Sequence, residues 1–330
     1  LIVTPCARTS VSVSPLVNST DANVGARRWI ALVVGVAAIS TASILIRLAQ
    51  APSLVPGAWR TLLAAAILTP WGLPALRRER GHLARRDRWL LIVCGLLLAA
   101  HFATWITSLS YTTVASSVIL VTTNPLWVGL ASHFVLRERL GRSQWLAVAV
   151  ALAGSVIIGY GDLGLSGRAL LGDLLALLGS LTISAYMLVG RALQRKLSTV
   201  AYVWPVYGVA GVALLLLCLT TGQTSAGLGA RGYAALILLA LVPQIVGHTA
   251  VNWALTVLSP ITVTLAILGE PIGSTLLAWL VLHEAPPPAS LLGGALVLTG
   301  IYLASQRERK RASRADDSET KSSGGIPRGD

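Results

Sequence analysis

Two residue pairs, Glu270-Pro271 and Asn124-Pro125, place a polar side chain beside a helix breaker inside long apolar stretches. If these stretches cross a membrane, a charged group within them costs roughly 2.5–3.5 kcal/mol on insertion scales and needs a partner or a wet cavity. A carboxylate there can bind an amine or exchange a proton, and an asparagine offers two donors and an acceptor without charge. Each proline removes a backbone hydrogen bond, which predicts helix breaks at Pro125 and Pro271.

Several further side chains can line the same site. Gln244, His248 and Asn252 are spaced four apart and share one helical face, which indicates a cavity wall. Aromatic side chains with a polar edge, which can pack against an apolar solute, also lie away from the ends of the stretches. The candidate substrate-binding residues are Glu270, Asn124, Trp105, Gln244, Asn252, Trp253, Tyr186 and Arg60. Ordinary packing and hydrogen bonding between helices is the alternative for each of them.

For charged residues near the ends of the stretches, a structural role is the favoured interpretation. Arg60 lies about four residues into its stretch, where snorkelling to the outer surface is the favoured expectation and a carboxylate or phosphate clamp is the alternative. Arg47 is also expected to snorkel. Asp173 is expected to cap the N-terminus of a helix, and His101 is expected to have a structural role.

The composition predicts that membrane-spanning helices position these residues. The chain has 330 residues, of which 54% are hydrophobic and 12% charged, against roughly 25% charged in a soluble domain. A helix needs about 20 apolar residues to cross a bilayer. The ten candidate spans are Trp29–Ala49, Pro56–Leu73, Trp89–Ser108, Val114–Leu136, Ser143–Tyr160, Gly172–Val189, Val200–Thr220, Tyr233–Val257, Ile261–Leu282 and Ala289–Ala304.

The basic residues predict the orientation of the chain. With the N-terminus in the cytoplasm, all but four of the 26 Lys and Arg residues fall in cytoplasmic segments. The four are Arg47 and Arg60 within spans, and Arg168 and Arg231 outside. This bias follows the positive-inside rule and predicts a multi-pass membrane protein with both termini cytoplasmic. It also accounts for the net charge of +13 without nucleic acid as a partner.

The sequence repeats itself at a fixed offset. Residues 109–154 reappear without gaps at 255–300, so that Pro125, Glu138 and Gly154 correspond to Pro271, Glu284 and Gly300. Ten spans in two copies means five per copy, and an odd number requires the copies to have opposite orientations. We therefore predict an all-α integral membrane protein with ten transmembrane helices in two inverted five-helix repeats. The central site is expected to be lined by spans three, four, eight and nine, with parts of one and six.

The predicted organisation has five parts. They are a disordered cytoplasmic tail (1–28), a first repeat (29–160), an outer linker (161–171), a second repeat (172–305) and a basic cytoplasmic tail (306–330). No metal or other cofactor is expected, because the three cysteines lack metal-ligand spacing. The sequence also has no phosphate-binding glycine loop, HExxH motif or nucleophile elbow, so no enzyme is predicted.

These features resemble the drug/metabolite transporter superfamily in its ten-span, twin-repeat EamA form. The first copy contributes Leu109-Ser110-Tyr111-Thr112-Thr113, Asn124-Pro125 and Leu136-Arg137-Glu138-Arg139-Leu140, and the second contributes Glu270-Pro271 and Leu282-His283-Glu284. The resemblance implies a secondary carrier of the bacterial inner membrane, often an exporter of amino acids or other small metabolites. It also places Arg60 where such carriers often have an arginine early in span two, although the second copy has no equivalent.

The sequence thus predicts a secondary active or facilitative transporter that exports amino acids or related small metabolites by alternating access. Glu270 would meet the ammonium of a zwitterionic solute, and a proton is a candidate coupling ion. A carrier of sugars, drugs or nucleotide-like solutes is the nearest alternative, and a membrane-embedded enzyme or a channel is a remote one. The loop acids Glu79, Asp87 and Asp162, interpreted as isolated, argue against an enzyme. The chain is expected to work in the bilayer as a monomer or a homodimer.

Overall fold

A computed structural model of the chain describes residues 19–134, 142–163, 167–257, 263, 266–267, 269–300 and 302–303. Nearly all of these residues are helical, and none of them forms a β-strand. The helices are α1 (Ser19–Ser40), α2 (Ala42–Ala49), α3 (Leu54–Glu79), α4 (Arg85–Ser108), α5 (Val114–Val121), α6 (Asn124–Phe134), α7 (Arg142–Leu163), α8 (Ala169–Gln194), α9 (Thr199–Thr220), α10 (Ala230–Leu239), α11 (Thr249–Val257), α12 (Gly269–Leu282) and α13 (Pro288–Gly300). A nine-residue π-helix, Ala240–His248, joins α10 to α11.

The predicted all-α fold is confirmed, and helices occur in each of the ten predicted stretches. Five helical segments are both long and apolar enough to cross a membrane. They are Ile30–Ala49, Arg85–Ser108, Ala169–Gln194, Thr199–Thr220 and Ala230–Ala254. The others include shorter apolar helices such as Gly269–Leu282 and Pro288–Gly300, and α3, which carries two internal prolines. The count of ten crossings therefore stays a prediction.

The first and fourth spans are interrupted at threonines. Thr41 separates α1 from α2, and its hydroxyl donates to the backbone oxygen of Ala38 at 2.7 Å. Thr122 and Thr123 separate α5 from α6, and their hydroxyls donate to carbonyls three or four residues back. Such side-chain bonds offer the backbone an alternative to the regular helical ladder. The second interruption lies immediately before Asn124.

Contacts at the helix ends show that the helices alternate in direction. Arg47, in the last turn of α2, donates from Nη2 to the backbone oxygen of Thr112 at 3.0 Å and lies 3.5 Å from Glu284 Oε2. Thr112 donates to Asp173 Oδ1 at 3.0 Å, near the start of α8. We call this the outer end, because the basic residues predict that it faces outside. Since α2 ends there and α8 begins there, the two halves run in opposite directions.

At the opposite, inner end, two acids join the halves. Lys196 Nζ lies 2.8 Å from Asp87 Oδ2, and the backbone nitrogen and hydroxyl of Ser198 each donate to Glu79 at 2.7 Å. The interpretation of Glu79 and Asp87 as isolated acids is therefore wrong. Glu79 satisfies donors at the start of α9, and Asp87 forms an ion pair, so both have structural partners. The side chain of Asp162 lies outside the described residues.

Repeated contacts relate the halves by a pseudo-two-fold axis. A Cβ added to Gly154 would lie 2.5 Å from the backbone oxygen of Gly293, and one added to Gly300 would lie 2.7 Å from that of Ala147. Gly300 is the repeat mate of Gly154, and Gly293 is that of Ala147, both at the offset of 146. One contact between α7 and α13 is therefore made twice with the repeats exchanged, and small residues permit its close approach.

The same exchange of repeats is seen where the first span of one half packs against the third span of the other half. Gly35 packs against Ala250, 3.1 Å from an added Cβ, while Gly179 packs against Thr104 and Trp105. Ala250 is the mate of Thr104 at the offset of 146, and Gly179 follows Gly35 by 144 positions. The sequence repeat is thus a structural repeat beyond the stretch that aligns without gaps.

Two sequence predictions need correction at the helix ends. Helix α1 begins at Ser19, so residues 19–28, predicted to be part of a disordered tail, are helical. Asp173 does not cap α8: this helix begins at Ala169, and the Asp173 carboxylate accepts a hydrogen bond from Thr112 of the other half. The predicted tail 306–330 lies outside the described residues.

Candidate functional site

A cavity of ≈ 90 Å³ lies between the two halves. Its walls come from spans one, three, four, six, eight and nine, which are the six spans that the sequence predicted. The lining residues are Ile39, His101, Trp105, Val121, Thr122, Asn124, Ile183, Tyr186, Met187, His248, Val251, Asn252, Ile267 and Glu270. Five of the predicted site residues are among them, namely Glu270, Asn124, Trp105, Asn252 and Tyr186.

The cavity straddles the pseudo-two-fold axis. Ile39 and Ile183 face it from equivalent positions of spans one and six, 144 residues apart. Trp105 and Val251, Val121 and Ile267, and Asn124 and Glu270 are mates at the offset of 146. The last pair differs in charge. One wall therefore carries a carboxylate where the opposite wall carries a neutral amide.

Glu270 is partly exposed and occupies the first turn of α12 as described. Pro271 follows it in the same helix, and residues 266–267, just before this helix, are also helical. Residue 268 lies outside the described residues, so the predicted break at Pro271 stays a prediction.

Asn124 begins α6, directly after the interruption at Thr122 and Thr123. Its backbone oxygen accepts a bond from Ser184 Oγ at 3.1 Å, and its Nδ2 lies 3.4 Å from Met187 Sδ. A thioether is a weak acceptor. The Asn124 amide thus faces the cavity without a strong partner in the part of the chain that the structure describes. The interruption at Thr122 and Thr123 precedes Pro125, which lies within α6, so the break predicted at Pro125 itself stays a prediction.

Asn252 organises the wall formed by spans six and eight. Its Oδ1 accepts from Tyr186 OH at 3.4 Å and from Gln194 Nε2 at 3.2 Å, and its Nδ2 donates to the backbone oxygen of His248 at 2.9 Å. These three bonds orient both the amide and the tyrosine. The pair can therefore act either as a fixed polar surface for a solute or as an interhelical connection.

His101 lines the cavity, which sequence reasoning did not anticipate. Its Nδ1 lies 2.9 Å from the backbone oxygen of Gly179, and since a carbonyl only accepts, Nδ1 carries the proton. The ring stacks on Trp105 with centroids 5.8 Å apart and planes 11° apart. Trp105 is 3% exposed, and its Nε1 has no partner among the described residues. His101 is thus both structural, as predicted, and part of the wall.

Arg60 does not snorkel, so that expectation is wrong. Its side chain is fully buried, its Nε donates to Gln244 Oε1 at 2.7 Å, and its Cζ lies 4.2 Å above the ring of Phe102. Phe102 meets His248 edge-on at 5.8 Å. Arg60 and Gln244 therefore lie one layer behind the cavity wall rather than in it. Arg60 is enclosed because α3 packs against α9, α4 and the π-helix.

Two further predicted site residues, Gln244 and Trp253, do not line the cavity. Gln244 is buried within the π-helix, where Pro243 disturbs the regular ladder and the backbone nitrogen of Thr249 bonds to the oxygen of Gln244, five residues back. Pro243 was the available sequence signal for this irregularity. Trp253 is half-buried and is absent from the cavity lining.

A family model described as the EamA-like transporter family matches the chain twice, over residues 27–160 and 170–306. The uncharacterized transporter YdfC of Bacillus subtilis (strain 168) is 24% identical over 242 residues, which cover 73% of this chain and 76% of the relative. The uncharacterized transporter YwfM of the same strain is 27% identical over 266 residues, covering 79% and 87%.

Two further similarities concern a named exporter and a solved structure. A probable terminal-alkyne amino-acid exporter of Streptantibioticus cattleyicolor is 25% identical over 260 residues, covering 77% of this chain and 84% of that protein. A protein known from its crystal structure superimposes with a TM-score of 0.60 at 22% identity, over 86% of this chain and 98% of that one. At this identity, the second likeness concerns the fold alone.

Proposed function

The chain belongs to the EamA-like transporter family, and from that premise we propose that it exports small amine-bearing metabolites, above all amino acids, by alternating access. Relatives named as transporters support the general activity, and one named as an amino-acid exporter supports this class of solute. The cell membrane, with both termini in the cytoplasm, is the proposed location, because the basic residues cluster at the inner end.

The observation that carries the proposal is the position of Glu270. It supplies the carboxylate of a cavity whose other described lining residues are neutral or apolar, apart from two histidines. A substrate ammonium gains most from an opposite charge where water is scarce. Asn124, on the opposite wall, can accept or donate a hydrogen bond, and Trp105 and Tyr186 provide apolar surface.

The size of the cavity indicates a contracted state. At ≈ 90 Å³ it is smaller than the roughly 300–1,000 Å³ of ordinary ligand pockets. Bonds join the halves at the outer end through Arg47, Glu284, Thr112 and Asp173. A larger solute requires the lining helices to separate, and pseudo-symmetric halves can do so at either end in turn.

A proton is the candidate coupling ion, because the same carboxylate can hold either a proton or a substrate ammonium. Binding of one then displaces the other, which links export to the proton gradient. This exchange requires no residue beyond Glu270. Homodimer and monomer are equally compatible with a site that lies within one chain.

Counterflow in proteoliposomes tests the proposed function. Vesicles containing the full chain are preloaded with a panel of unlabelled amino acids and small metabolites, and uptake of labelled solute is measured at two pH values. We expect at least one amine-bearing solute to exchange, and Glu270→Gln to reduce that exchange by more than tenfold. Normal exchange of every transported solute by Glu270→Gln, with unchanged pH dependence, rules out the assigned role of Glu270.

A further inference from the structure

We infer that Arg60 and Gln244 form a second, anion-binding part of the site, which takes the carboxylate of the transported solute. This inference rests on the proposed function, since it names the chemical group that the carrier recognises besides the amine. Arg60 Nε donates to Gln244 Oε1 at 2.7 Å, and both side chains are fully buried. This bond holds the guanidinium and the amide against each other.

Although the Tyr207 hydroxyl lies near the Gln244 side chain, three buried donors of this pair make no hydrogen bond among the described residues. They are Arg60 Nη1, Arg60 Nη2 and Gln244 Nε2. Buried donors are nearly always satisfied in folded proteins, and each exception calls for an explanation. A carboxylate only accepts hydrogen bonds, and a guanidinium binds it with two parallel N–H groups. The free donors of Arg60 and Gln244 therefore match the acceptors of one carboxylate.

The positive charge of Arg60 also has no counterion in direct contact among the described residues. Glu270 and Tyr207 act on it electrostatically, but in the described part of the chain no carboxylate lies within ion-pair distance of the guanidinium. A buried charge without a contacting counterion is strongly disfavoured. An incoming carboxylate would supply that counterion. Glu270 and Arg60 would then hold the two opposite charges of an amino acid.

The route from the cavity to Arg60 is short. Phe102 lies beneath the guanidinium, and His248, which meets the edge of that ring, lines the cavity one turn beyond Gln244. Both Gln244 and His248 belong to the π-helix, whose irregular backbone is a frequent feature of functional sites. A displacement of His248 therefore opens the wall toward the three donors.

The test compares L-amino acids with their carboxamides, such as leucine with leucinamide, which keep the amine and remove the carboxylate. Thermal unfolding of the full chain in detergent measures binding, and counterflow in proteoliposomes measures transport. For the wild type we expect at least one acid to bind and exchange more than tenfold better than its amide. Arg60→Gln lowers exchange of the acid at least tenfold more than exchange of the amide, which removes this preference. Arg231→Gln, at an exposed site, keeps the preference.

Gln244→Met is the second variant, because it removes the Nε2 donor and keeps the positive charge of Arg60. It weakens binding of the acid about tenfold more than binding of the amide. The inference is overturned if acids and amides behave alike in the wild type, or if Arg60→Gln keeps the preference for acids. It is also overturned if acetate alone stabilises the chain as strongly as the amino acid, since the site would then hold a resident anion.

The outcomes separate this inference from the proposed function. Exchange of amines and amino acids without discrimination leaves the carrier intact and removes the anion site. Stabilisation by acids that depends on Arg60, in a preparation that exchanges no solute, leaves the anion site intact and removes the carrier. If Arg60 only stacks on Phe102 in a structural role, neither measurement discriminates acids from amides.

Discussion

Glu284 Oε1 lies 2.6 Å from the backbone nitrogen of Val114, so a carboxylate of the second half caps the first turn of α5 in the first half. The other oxygen of Glu284 faces Arg47 at 3.5 Å. The first N–H groups of a helix have no partner within the helix, and an acidic side chain satisfies them favourably. This cap is one of the bonds that hold the two halves together at the outer end.

Glu284→Gln is therefore expected to loosen the outer end. Losing the charge removes about 1 kcal/mol of capping and dipole stabilisation, equivalent to about fivefold in the population of an open state. A reporter cysteine at the buried position Ser117 should react about fivefold faster with a membrane-impermeant maleimide. Arg231→Gln, which removes an exposed charge, is the control. Equal labelling rates in both variants exclude a closing role for the cap.

The contact of Gly154 with Gly293 predicts intolerance of a single methyl group. In Gly154→Ala the new Cβ would lie 2.5 Å from the Gly293 oxygen and 2.9 Å from the Val297 nitrogen, which are backbone atoms that cannot rotate away. Overpacking of this kind costs about 1–3 kcal/mol. Thermal unfolding in detergent should show a lower midpoint for Gly154→Ala.

Gly208→Ala is the matched control, because nothing lies within 4 Å of its added Cβ and the residue is within α9. Alanine is favoured over glycine inside a helix by about 0.5–1 kcal/mol. Its midpoint should stay constant or rise. Equal destabilisation by both substitutions would show that α7 and α13 are not packed as tightly as described.

Because Asn124 and Glu270 occupy equivalent positions, we predict that the site can use a carboxylate on either wall. If the cavity straddles the pseudo-two-fold axis, a carboxylate moved from position 270 to position 124 meets the same solute from the opposite wall. Glu270→Asn is expected to reduce counterflow of the transported amine more than tenfold, and addition of Asn124→Glu should restore part of it. A double variant no better than the single one would show that the two positions are not functionally equivalent.

Replacing Arg60 and its partner with apolar residues is expected to stabilise the protein and to remove its preference for acids. Replacing a buried ion and its polar partner with apolar residues of similar size is often stabilising, by about 1–4 kcal/mol. Arg60→Met combined with Gln244→Leu should raise the thermal midpoint in detergent and abolish the preference for acids over amides. Arg231→Met, at an exposed site, should change stability by no more than about 0.5 kcal/mol. A lower midpoint for the double variant would mean that stacking on Phe102 outweighs the cost of burial.

The position of the central site was predictable because the repeat is visible in the residues themselves. Pro125 and Pro271, Glu138 and Glu284, and Gly154 and Gly300 align at one offset, and five spans per copy force the copies into opposite orientations. Two-fold symmetry then brings equivalent spans to the same place. Glu270 and Asn124 consequently face one cavity, although 146 residues separate them.

The surroundings of single side chains were not predictable in this way. Counting residues from the edge of an apolar stretch placed Arg60 near the surface, whereas α3 begins earlier, at Leu54, and the residue is enclosed by neighbouring helices. Glu79 and Asp87 read as isolated acids because Ser198 and Lys196, their partners, are more than 100 positions away.

The amino-acid sequence by itself determined the helical class, the two inverted halves and the spans that meet at the centre, because hydropathy, charge bias and internal repetition are properties of the linear chain. Only the tertiary structure decided which polar atoms find partners. Glu284 finds the N-terminus of α5, whereas the guanidinium of Arg60 keeps two nitrogens without one in the described part of the chain. Satisfaction of a buried group depends on atoms brought within about 3 Å by packing, and the order of residues does not specify those distances.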